Sequence, residues 1–129
     1  MKLLIAALLT VFSTSVMAEW DKLGPSVYGT VYVDISLVRK SGDKVKVWTL
    51  LDFNPETKVC GEGKECLSST AQNEYDCKEE TWRTLTYHRT SKNMGKGDMV
   101  ESSGNLHEEF APVSPTGADR VIFKIFCGK

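Results

Sequence analysis

The sequence predicts an α+β domain: a single antiparallel β-sheet of about five to six strands, with one C-terminal α-helix packed on it and disulfides stapling the two. Three observations carry this reading. Two long runs, "SVYGTVYVDISLV" and "KVKVWTLLDF", alternate in character around a turn. The last apolar segment repeats at helical spacing. Four cysteines stand in a chain that opens on an export signal.

The export signal is "MKLLIAALLTVFSTSVMA". Lys2 precedes an apolar run from Leu3 to Phe12, and Val16 and Ala18 hold the positions that a signal peptidase reads. The run is well short of the roughly 20 residues a spanning helix needs. Residues 1–18 are therefore expected to be cleaved, leaving one domain over residues 19–129 with no membrane insertion. No cysteine lies near the cut, so no lipid anchor is expected.

The strands follow in order. In the first run Val27, Gly29, Val31, Val33 and Ile35 share one face, with Tyr28, Thr30, Tyr32 and Asp34 on the other. "KSGDK" is a turn. In the second run Val45, Val47, Thr49, Leu51 and Phe53 oppose Lys44, Lys46, Trp48, Leu50 and Asp52. The two runs read as an antiparallel hairpin. A loop from Asn54 to Glu65 holds the first cysteine. "CLSSTAQNEYDC" then places Leu67, Ser69, Ala71, Asn73, Tyr75 and Cys77 on one face. "KEE" turns the chain into the strand "TWRTLTYHRT", glycines 95 and 97 interrupt, and "GDMVESS" is a short edge strand.

The final segment predicts the helix. Ala118, Val121, Ile122, Ile125 and Phe126 recur at offsets 0, 3, 4, 7 and 8. Thr116 is the expected N-cap, Asp119 its capping-box partner and Gly128 the stop. Phe123 lies off this stripe, and Cys127 points away from it in an ideal helix. The β-branched and aromatic content also suits a strand.

Cys60, Cys66, Cys77 and Cys127 are separated by five, ten and forty-nine residues. These spacings do not suggest a zinc site, and no C-x-x-C redox pair occurs. No metal or cofactor is expected. In an oxidising compartment an even count argues for two disulfides, with three pairings open. The preferred pairing is Cys60–Cys66, clipping a glycine-containing loop, with Cys77–Cys127 tying the last element to mid-chain. The second closes a loop worth about 3 to 4 kcal/mol.

Removing Lys2 with the leader takes the bases from 16 to 15 against 17 acids, a net charge near −2. That balance gives no reason to expect nucleic acid as a partner. Two histidines, His88 and His107, with carboxylates such as Glu108 or Glu74, are the material for a small hydrolase. No nucleophile motif or phosphate loop accompanies them, and "NMGKG" alone is too short for one, so no catalytic residues are assigned. Binding rests on aromatics. Tyr28, Tyr32 and Trp48 share the outer face of the hairpin and Phe123 is the helix's stray ring, a set suited to gripping a protein partner. Burial under the helix, or in a homodimer, is the competing use of the same face.

The segments "EYDCKEETWR", "NMGKG", a stretch punctuated by proline and serine, and a terminal "CGK" resemble the surface-adhesin protein E-like family of small exported bacterial proteins. "WDKLG", "VYVDISLV" and "KVKVWTLLDF" fit the same pattern, so the resemblance spans nearly the whole mature chain. It implies an antiparallel sheet with a C-terminal helix and a disulfide joining Cys77 to Cys127, a link not independent of the pairing preferred above. It also implies a periplasmic or secreted protein of a Gram-negative bacterium that binds host matrix or plasma proteins. The alternative role is a periplasmic inhibitor or accessory protein.

Overall fold

The computed structural model describes residues 19–57, 60 and 63–128. The expected leader over residues 1–18 and part of the Cys60–Cys66 loop lie outside them. Among the described residues the order is β1 (Asp21–Pro25), β2 (Gly29–Val33), β3 (Arg39–Ser41), β4 (Lys44–Phe53), β5 (Ser68–Asp76), β6 (Thr81–Thr90), β7 (Met99–Ser102), β8 (Ala111–Pro112) and α1 (Ala118–Cys127). Every pairing is antiparallel. The strands run β1-β2-β4-β5-β6-β7 across the sheet. β2 and β3 pair with opposite ends of β4, and β7 and β8 do the same on β6. Eight strands thus fill six positions, more segments than the sequence reading expected.

One extra segment, β3, comes from a break at Asp34. The expected strand stops there because the buried Asp34 carboxylate turns back to accept the Ser36 backbone N–H and starts a 3-10 turn at Ile35–Leu37. Ile35, assigned to the inner face, is exposed as a result. β1 has no alternating pattern of its own. It forms because β2 offers it an edge to pair with.

β4 and β5 are central, and both of their faces carry buried residues. On one face Val33, Val45, Val47 and Tyr75 meet Ile122, Phe123 and Phe126 of α1, with Val113 beside them. Tyr75 and Trp82 stack across β5 and β6, ring centroids 6.1 Å apart. On the other face Leu50, which the alternation sets opposite Val45 and Val47, is fully buried. The "NMGKG" segment explains this. Asn93 Nδ2 and the Met94 N–H each donate to Asp52 Oδ1 at 2.9 Å, and the Gly95 N–H donates to Ser68 Oγ at 2.9 Å. This strap lies against Leu50: a Cβ on Gly95, whose φ is +73°, would sit 3.3 Å from its Cδ1.

The turn after β5 is built by Asp76, whose Oδ1 accepts the backbone N–H groups of Lys78 and Glu79. Cys77 follows it and is bonded to Cys127 at the end of α1; Cys60 is bonded to Cys66. The preferred pairing is the observed one.

The helix forms where expected and stops at Gly128, which adopts the left-handed conformation with its N–H on the Lys124 carbonyl. Its face differs. Asp119, Ile122, Phe123, Phe126 and Cys127 lie toward the sheet, while Val121 and Ile125 are 47% and 51% exposed. The stripe is rotated by one residue, about 100°. Phe123 is core, and Cys127 reaches Cys77 without distortion. The N-cap is Gly117, not Thr116, and makes no side-chain cap bond. Asp119 bonds to the Tyr75 hydroxyl rather than serving a capping box.

Candidate functional site

Helix α1 covers only part of its sheet face. Toward the Phe53 end of β4 the same face continues as Val31, Thr49 and Leu51, and these floor an open cleft of about 650 Å³. One wall is the end of β1 and the turn after it, from Leu23 to Tyr28. The other is the first turn of α1, from Gly117 to Val121. The lining is mostly apolar, as a pocket for a hydrophobic group requires.

The β1–β2 turn is held firmly. Ser26 and Gly29 exchange backbone hydrogen bonds, the Ser26 hydroxyl donates to the Gly29 carbonyl at 3.0 Å, and the Tyr28 N–H donates back to that hydroxyl. The Tyr28 carbonyl accepts from the Asn54 N–H and the Thr57 hydroxyl, both at 2.9 Å. Gly29 allows this close approach, since a Cβ there would stand 1.9 Å from the Asp52 carbonyl oxygen. The turn presents Val27 at 86% exposure and Tyr28 at 57%. Both side chains therefore stand in water on a hydrogen-bonded turn at the rim of the cleft.

Asp119 supplies the cleft's carboxylate. Its Oδ1 accepts the Tyr75 hydroxyl at 3.0 Å. Burial pushes the Asp119 carboxyl above its ordinary range, and that hydrogen bond opposes part of the rise. Burial first, and then the Asp119 charge, hold the Tyr75 phenol far up, so it stays a neutral donor. The next residue, Arg120, is engaged elsewhere: its Nε and Nη2 donate to the carbonyls of Ser114 and Val113, each at 2.9 Å.

The four aromatic residues singled out by sequence are divided three ways. Tyr28 is on the cleft rim. Tyr32 and Trp48 belong to the opposite sheet face, where Tyr32 pairs beside Leu50 and Trp48 meets the His88 ring at 6.3 Å. Phe123 is buried completely and cannot meet a partner in this conformation. His88 lies on β6, and His107 is exposed in the loop after β7. Among the described residues no group of three or more His, Cys, Asp or Glu could hold a metal, and no helix is long and apolar enough to cross a membrane.

Sequence reasoning missed most of the cleft. Val27 was assigned inward with Val31 and Val33, and Val121 was assigned to the helix's buried stripe. A signal was present in Asp119, an acid three residues before Ile122 whose position suits a buried face only if a donor such as Tyr75 waits there.

A family model described as surface-adhesin protein E matches residues 20–128. The chain belongs to that family. Solved structures agree on the fold. Crystal form II of Haemophilus influenzae protein E aligns with a TM-score of 0.67 at 14% identity, covering 89% of this chain and 91% of that one. The structure of protein E from non-typeable Haemophilus influenzae aligns at 0.63 and 14% identity, covering 89% and 79%. The selenomethionine form of the Haemophilus influenzae protein aligns at 0.62 and 13%, covering 89% and 90%. At this identity the likeness concerns architecture: the antiparallel sheet, the terminal helix and their order along a surface-adhesin protein E chain. No curated protein matches the chain.

Proposed function

We propose that the chain is an exported, non-catalytic binding module that holds a protein partner at the cleft between the β1–β2 turn and the start of α1. Family membership supports an adhesin-like role, and two disulfides suit an oxidising compartment. The observation that carries the site is the pair Val27 and Tyr28, held out in water by a hydrogen-bonded turn at the mouth of an apolar cleft. Cleavage after Ala18 and release to the periplasm or beyond complete the reading. N-terminal sequencing of the exported product should begin at Glu19.

The test is a side-by-side pull-down from host serum and periplasmic extract with the oxidised mature chain. Capture is expected for the native protein and for Trp48→Ser, and is expected to be lost in a Val27→Ser, Tyr28→Ala double variant with unchanged circular dichroism. Capture lost in Trp48→Ser but kept in the double variant moves the site to the opposite sheet face. A serum partner supports adhesion; a partner found only in periplasmic extract supports an inhibitor or accessory role.

A further inference from the structure

The cleft has an apolar floor and one carboxylate, Asp119, on its helical wall. Leu23, Val31, Leu51 and Val121 offer aliphatic surface. Asp119 is the carboxylate among the lining residues, and no lysine or arginine lines the cleft beside it. The ion pairs among the described residues are Glu74–Arg83 and Glu101–Arg89, both elsewhere. Arg120, the nearest cation in sequence, is spent on two backbone carbonyls. Tyr75 satisfies one carboxylate oxygen, and an ionised carboxylate accepts more than one hydrogen bond.

We propose that this cleft receives an aliphatic cation, a lysine or arginine side chain of a partner protein, with its methylene stem on the Leu23–Val31–Leu51 floor and its charged head at Asp119. The inference rests on the cleft being the binding site and adds what it selects. Long basic side chains combine an apolar stem with a polar head, the combination this surface complements. A carboxylate kept in a partly buried position against its own desolvation is also the kind of group that a binding role explains.

Three probes of similar length separate the contributions: hexylammonium, hexanol and hexanoate, titrated into the oxidised mature chain with amide NMR as readout. Hexylammonium is expected to move the amides of Gly24, residues 26–28 and residues 117–121 at lower concentration than hexanol, and hexanoate to leave them still. Asp119→Asn, which keeps an acceptor for Tyr75, should weaken hexylammonium about tenfold and leave hexanol unchanged. If Asp119→Asn does not fold, the ranking of the three probes on the native chain still decides. Equal binding of hexylammonium and hexanol overturns the cation assignment while leaving the cleft as an apolar receptor, which the pull-down judges separately. Failure of all three probes to move these amides overturns the proposal outright.

Discussion

Asp119 is an acid set within the buried face of a helix, and its environment gives a pH dependence. Burial raises its carboxyl above the ordinary value, so the folded chain holds the proton more tightly than the unfolded chain does. This group's contribution to stability is fully present below the ordinary aspartate value and is lost as pH rises through the raised folded value. Asp119→Asn removes that loss. Its melting temperature should match the native protein's in acid and exceed it at neutral pH, measured by circular dichroism across the range. A variant less stable than the native chain at neutral pH would mean that the carboxylate's attraction to the free N–H groups of the first helical turn outweighs its desolvation.

The rotation of α1 is decided at the scale of the element. The helix carries apolar residues on more of its circumference than one sheet face can bury, so two stripes compete. The stripe of Ala118, Val121, Ile122, Ile125 and Phe126 excludes charge but strands Cys127. The stripe of Asp119, Ile122, Phe123 and Phe126 accepts one acid and directs Cys127 to Cys77. Tyr75 supplies the hydrogen bond that makes the acid tolerable. Phe123→Ala should therefore cost about 3 to 5 kcal/mol, while Ile125→Ala should change stability by no more than about 0.5 kcal/mol. Urea denaturation of both variants checks this, and a reversed order would restore the sequence-based stripe.

At the scale of the whole molecule, two staples act on loops of unequal length. Cys77–Cys127 spans a sequence separation of 50 and Cys60–Cys66 one of 6. In the chain-entropy model their loss costs about 4 and about 2 kcal/mol. The Cys77→Ser, Cys127→Ser variant should thus show the larger fall in its guanidinium midpoint. It should also loosen the first turn of α1, since the bond anchors the helix whose other end walls the cleft. The Cys60→Ser, Cys66→Ser variant should leave the cleft intact. Amide NMR of residues 117–121 in the two variants distinguishes them.

Much of the architecture was legible in the order of residues. Val45 and Val47 alternate with lysines because at that end of β4 one side meets core and the other meets water, and that contrast is local. The terminal helix and its glycine stop were legible for the same reason, since each depends on spacing along the chain; the preferred cysteine pairing was one of three that spacing left open, and the family resemblance favoured it. Leu50, Val27 and Phe123 were misassigned because their surroundings come from distant segments, the Asn93–Gly95 strap, the turn fastened to Asn54 and Thr57, and the sheet beneath α1. By itself the sequence determined an antiparallel sheet closed by a helix. Only the tertiary structure decided which way that helix turns and how far along the sheet it reaches. A helix with more apolar surface than one face can cover has no local preference between its stripes, so long-range bonds choose, and the uncovered remainder of the sheet becomes the cleft.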